Sequence, residues 1–143
     1  MADQTDVAPE IVAGLRSICL ALPEVREEEA WVGTRWRVGK GTFAHVLVVV
    51  DGWPPVYARA AGTDGPATVL TFRSSGSELA ALSAAGPPYF TPPWHPLAVG
   101  LVLDAGTDAG PDRVEIAELL TESYCLLAPR RLVERVARPS GRA

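Results

Sequence analysis

The stretch Arg35-Trp36-Arg37-Val38-Gly39-Lys40-Gly41-Thr42-Phe43-Ala44-His45-Val46-Leu47-Val48-Val49-Val50 decides the fold. Thr42 to Val50 is rich in β-branched and apolar residues at successive positions, so neither face of the strand it forms suits water. Such a strand belongs in the centre of a sheet, covered. Gly39-Lys40-Gly41 reads as a tight connection, with Arg35 to Val38 as the strand before it. A Gly-Thr turn leads back to another short strand within Glu27 to Trp31. Together these segments predict an antiparallel meander, with Phe43, His45 and Leu47 alternating onto one strand face.

Upstream, Ile11, Val12, Leu15, Ile18, Cys19 and Leu22 recur at helical spacing. Pro9 suits a first helical turn, Glu10 suits the positive end of the helix dipole, and Pro23 stops the pattern. Downstream, Asp51 to Pro66 is rich in Gly and Pro. It has room for an edge strand at Val56 to Arg59, which Pro54 and Pro55 keep from a sheet centre. Ala67 to Arg73 is a further strand. Ser75 and Glu78 match a capping box opening a helix through Leu79 and Leu82 to about Ala85. Gly86 to Pro96 is a stiff, proline-rich loop presenting Tyr89, Phe90 and Trp94. Leu97 to Leu103 is the final strand and Asp104 to Gly110 a loop. Pro111 starts a long helix with Ile116, Leu119, Leu120, Ser123, Tyr124 and Leu127 on one face; Asp112, Glu115, Glu118 and Glu122 lie away from it, a solvated face rather than a metal site. Pro129 ends that helix, and Arg130 to Ala137 forms one more short basic turn or helix.

The 143 residues suit one domain, 1–143, with residues 1–7 and 139–143 frayed. The formal charge of −4 argues against general attraction to nucleic acid or anionic lipid. Its distribution is uneven. Seven acids face only Arg16 and Arg26 between Met1 and Ala30, whereas Arg35, Arg37 and Lys40 stand without an acid between Trp31 and His45. Five arginines follow Pro129 against Glu134. Cys19 and Cys125 sit in apolar helical patterns and read as buried thiols of a reducing compartment. The apolar run Val46 to Val50 is far too short for a bilayer. The start has neither the basic nor the apolar region of a secretion signal, so a cytoplasmic location and no membrane partner are expected.

Leu15-Arg16-Ser17-Ile18-Cys19-Leu20-Ala21-Leu22-Pro23-Glu24-Val25 resembles the opening signature of the MmcQ/YjbR family. In that family a helix runs into Leu-Pro, followed by an acidic residue and a tryptophan, here similar to Glu27 to Glu29 and Trp31. Arg37-Val38-Gly39-Lys40 with Phe43-Ala44, then Arg73 at a strand end, Tyr89, Trp94, and Glu118-Leu119-Leu120 with Ser123-Tyr124, continue the likeness from about Ile11 to Leu132. The resemblance implies an α+β fold: an antiparallel β-sheet with helices packed on one face, the frataxin/CyaY-like sandwich. It also implies DNA binding through a double-wing arrangement of strands and loops. The Pro/Gly-rich insert from Trp53 to Pro66 and the acidic balance depart from the family pattern.

Two candidate sites follow. Arg35, Arg37 and Lys40 lie on or beside the tip of the predicted hairpin, a wing able to reach phosphates, with Trp36 in support and Arg59 and Arg73 on neighbouring strand ends. The competing reading is an edge hairpin whose charges prevent edge pairing. Tyr89, Trp94 and His95, on the rigid loop, form a groove for a ligand or a protein partner, or else support the last strand. The other features are plainer. Arg130, Arg131, Arg135 and Arg138 suit a helix C-terminus. His45 reads as a core or half-buried residue. Glu27, Glu28 and Glu29 alternate faces and form no single patch. Gly39-Lys40-Gly41 lacks the spacing of a phosphate-binding loop, and no nucleophile elbow or His-Glu-x-x-His pattern occurs. No cofactor or metal is expected. The chain therefore reads as a non-enzymatic module that binds either DNA through the basic hairpin or a ligand or protein through the aromatic loop.

Overall fold

The computed structural model describes residues 7–104 and 112–136. The expectations for the ends and for the loop after Asp104, including a helix start at Pro111, lie outside these residues, apart from Val7, which packs against the main core. In chain order the elements are α1 (Pro9–Cys19), β1 (Arg26–Glu29), β2 (Thr34–Val38), β3 (Gly41–Val49), α2 (Pro55–Ala61), β4 (Ala67–Arg73), α3 (Gly76–Ala85), β5 (Tyr89–Phe90), β6 (Ala98–Val102), α4 (Arg113–Leu127) and α5 (Arg130–Val133). The strands form one antiparallel sheet in the order β1-β2-β3-β4-β6-β5, with the long apolar β3 inside it as its composition requires. The fold is α+β.

The main core lies between the sheet and α1, α3, α4 and α5. Leu15 and Cys19 of α1, Leu119, Leu120 and Tyr124 of α4, and Leu132 of α5 meet Trp36, Val38, Val46, Leu70, Phe72, Val99 and Leu101 from the strands. Burial pushes the Cys19 thiol far above its ordinary pKa, so it stays protonated and inert; Cys125 is half-buried and also free.

The segments that carry the family likeness meet in this layer. The Tyr124 hydroxyl donates to the carbonyl of Pro23 at 2.7 Å, tying α4 to the turn after α1. Glu27 accepts both a two-pronged contact from Arg16, at 2.9 and 3.0 Å, and the Trp36 indole N–H at 2.9 Å. Arg16 accordingly holds the Glu27 carboxyl below the usual carboxylate range. Ser123 is fully buried; its hydroxyl donates to the Phe43 carbonyl at 2.7 Å and accepts from the Arg73 amide at 2.9 Å.

That Ser123 bridge sits where the β3–β4 ladder stops. Trp36 pairs with Ala44 and Arg37 with Thr42, so Phe43 is skipped, a β-bulge. The expected alternation therefore fails at this point. Phe43 turns to the helices, edge-on to Tyr124 with ring centroids 5.4 Å apart, while His45 and Leu47 face the other way.

Three further expectations change. Val56 to Arg59 is helical, not an edge strand: Pro55 occupies the first helical turn, where a missing N–H costs nothing, and Gly62 closes α2 with φ of 74°. Ser75 precedes α3 but makes no side-chain cap; Glu78 is held instead by the hydroxyl of buried Ser74. The aromatic loop contains a two-residue strand, β5, and Phe90 lies across Gly100, filling the space a Cβ would need. On the sheet face away from the other helices, α2 packs Ala58, Tyr57 and Ala61 on Leu47, Val49 and Val69. It covers only that end. The rest of this face, called the open face below, carries the candidate site.

Candidate functional site

Cross-strand partners share a face of a sheet. Register therefore lines up Arg26 with Arg37, Glu28 with Arg35, Arg35 with His45, His45 with Thr71, and Arg73 with Ala98 on the open face. Four arginines thus share that face, and among the strand residues Glu28 is the acid opposing them. The acids Glu78, Asp112, Glu115 and Glu118 instead gather along a groove between α3 and α4, in the helical layer. The net charge of −4 hides this polarity.

A cavity of about 310 Å³ opens on the same face. Arg35, His45, Thr71 and Arg73 form part of its floor, Ala30 to Val32 and Tyr57 of α2 contribute to its walls, and Trp94 and His95 come from the loop before β6. The rim is aromatic. Trp31 is 78% exposed and packs on Trp53 with ring centroids 5.3 Å apart; Trp94, 45% exposed, meets Tyr57 edge-on at 4.9 Å. Exposed indoles grouped around a concavity are unusual on a solvated surface, which makes this cavity the candidate site.

Hydrogen bonds fix the polar groups within. His45 Nε2 lies 2.6 Å from the Val32 carbonyl and so donates to it, which leaves Nδ1 to accept the Tyr57 hydroxyl at 3.4 Å. Burial lowers the His45 pKa and the Arg35 charge adds to this, against the opposing pull of the Val32 carbonyl; burial raises that of Tyr57. Both shifts favour the neutral forms, an imidazole and a phenol held against one another. Arg35 contacts Glu28 at 2.9 Å. Arg73 Nη1 lies 3.3 Å from His95 Nε2, and His95 Nδ1 accepts the Leu97 amide at 3.0 Å.

The structure sorts the sequence candidates. Arg35 and Arg73, from the basic set, and Trp94 and His95, from the aromatic set, line one cavity. Arg37 lies on the same face but turns to the hairpin: its Nη2 donates to the Lys40 carbonyl at 2.7 Å, Nη1 is 3.7 Å from Glu28, and Nε is buried without a partner. Lys40 is exposed at the hairpin tip. Arg59 sits on α2 beside a separate hollow with Gly62 and Asp64. Tyr89 does not join Trp94 and His95: it pairs with Leu101 on the helical face, and its hydroxyl donates to Glu115 at 3.2 Å. Of the basic tail, Arg131 pairs with Glu24 at 3.1 Å. Trp31, His45 and Tyr57 join the site unforeseen. The two adjacent prolines before Tyr57 were the available sign of a helix start. Among the described residues no cluster of His, Cys, Asp or Glu has the makings of a metal site, and no helix is long and apolar enough to cross a membrane.

The family model of YjbR matches residues 20–126. No curated protein and no solved structure matches the chain. The match spans most of the sequence, and the chain belongs to the YjbR family.

Proposed function

We propose that this YjbR-family chain is a binding module rather than an enzyme, and that its open face engages single-stranded nucleic acid. One observation carries the reading: Arg26, Arg35, Arg37 and Arg73 share the face on which Trp31 and Trp94 stand exposed around a cavity. Guanidinium groups suit phosphates, and indole faces stack on bases whatever their sequence, a contact worth about 1–3 kcal/mol per base. Lys40 at the hairpin tip extends the basic track as a wing. A duplex is the poorer match, because its bases are already stacked and out of reach of Trp31 and Trp94. Glu28 neutralises part of the Arg35 charge, so binding is weak and depends on salt. The test is fluorescence anisotropy with labelled oligothymidylate and with a duplex, at low and moderate salt. With two or three phosphates neutralised, the single strand should bind with a log–log salt slope of about −1.5 to −2. No binding of the single strand at low salt overturns the reading.

A small ligand alone, with no nucleic acid, is the second reading. It is favoured by the cavity itself, whose volume of about 310 Å³ falls at the lower end of small-molecule sites. Stabilisation by a small aromatic anion, without any response to oligothymidylate, would select it.

A further inference from the structure

We propose that Arg73 and His95 form a phosphate anchor, which makes the cavity a subsite for one nucleotide whose base lies against the Trp94 and Trp31 side of the rim. The proposal rests on the reading of the open face as a nucleic-acid surface and adds to it a built position for one phosphate. The Leu97 amide donates to His95 Nδ1 at 3.0 Å, so Nδ1 presents a lone pair and the ring proton sits on Nε2. Nε2 is then a donor, and so is every nitrogen of Arg73. Yet Arg73 Nη1 lies 3.3 Å from Nε2. Two donors at hydrogen-bond distance do not satisfy one another; they need an acceptor in common.

Both groups line the cavity, so the acceptor is to be sought there. A negatively charged, multiply accepting group such as phosphate takes both donors at once, and charge-assisted bonds of this kind are the strong ones. Arg35 lines the same cavity and supplies further positive potential. The anchor is partly preorganised: the Ser123 hydroxyl fixes the Arg73 backbone and the Leu97 amide orients the His95 ring, which lowers the ordering needed on binding. Beside it, Trp94 is the chain neighbour of His95 and is braced edge-on by Tyr57. Phosphate donors next to an aromatic wall, in a hollow of this volume, fit a mononucleotide unit.

The experiment titrates the protein with thymidine monophosphate, thymidine and inorganic phosphate, followed by two-dimensional NMR with the indole and imidazole signals resolved. The monophosphate should bind at least tenfold more tightly than the nucleoside and shift the His95 ring and Trp94 indole signals together. Arg73→Gln and His95→Ala should each weaken the monophosphate about tenfold and leave the nucleoside unaffected; His95→Gln, which keeps a donor, should recover part of the loss. Equal affinity for nucleoside and monophosphate, or an unchanged monophosphate affinity in Arg73→Gln, overturns the anchor. Inorganic phosphate binding as tightly as the monophosphate overturns the nucleotide subsite. If oligothymidylate binds while either of the first two negative results is found, the anchor fails and the nucleic-acid surface stands; if it binds while inorganic phosphate matches the monophosphate, only the nucleotide subsite fails. If neither oligothymidylate nor the monophosphate binds, both fail.

Discussion

Replacing Ser123 with alanine removes one oxygen and should unsettle both the sheet and the site. The hydroxyl is fully buried and completes the β3–β4 ladder at the Phe43 bulge, accepting from the Arg73 amide at 2.9 Å and donating to the Phe43 carbonyl at 2.7 Å. In Ser123→Ala both backbone groups lose their partner. A buried polar group left unpaired costs about 1–3 kcal/mol, and with partial relaxation around the two groups stability should fall by about 2–4 kcal/mol. In a urea titration with a slope near 2 kcal/mol/M, the midpoint should fall by about 1–2 M at unchanged slope. The Arg73 amide should also exchange faster with solvent than its neighbours Thr71 and Phe72. A loss below about 0.5 kcal/mol would refute the bridging role of Ser123, and with it the claim that Arg73 is held in place from behind.

Gly33 has φ of 80°, and a Cβ there would collide with the Val46 carbonyl, so Gly33→Ala should cost about 2 kcal/mol or more by chemical denaturation. Burial depresses the His45 pKa, so the unfolded chain takes up that proton first. The associated stability is complete above the ordinary histidine pKa of about 6.5 and is lost as pH falls from there through the lower folded pKa. His45→Gln should remove this slope from a pH series of melting temperatures; an unchanged slope would assign it to another group. Trp31 is largely exposed, so Trp31→Ala should change stability by less than about 1 kcal/mol while weakening oligothymidylate by about 1–3 kcal/mol in anisotropy.

Much of the sheet was legible because its information is local and periodic. The apolar run of β3 marks a central strand, and Gly39-Lys40-Gly41 marks the hairpin before it. The bulge at Phe43 was not legible, since the pattern stays apolar through it and only the three-dimensional demand of Tyr124 and Ser123 reveals the skipped residue. Pro54 and Pro55 bar a central strand, but Pro at the start of a helix satisfies the same constraint and puts Tyr57 over the cavity. Tyr89 and Trp94 lie five residues apart in one proline-rich loop, and without periodicity nothing in the sequence tells which face each takes. Pairing of Tyr89 with Leu101 sends it to the helices and leaves Trp94 with the open face. Charge was the least legible quantity. A count gives an acidic protein, while the register of β1, β2, β3 and β4 separates a basic sheet face from an acidic helical groove.

The central claim is that the open face is where this protein binds. NMR mapping with oligothymidylate at low salt addresses it directly. The account expects the largest shifts at the amides of Trp31, Arg35, Thr71 and Arg73, at the His95 ring, and at the indoles of Trp31 and Trp94, with α1 and α4 unmoved. Shifts confined to the groove lined by Glu78, Glu115 and Glu118, or no shifts at all, would contradict it.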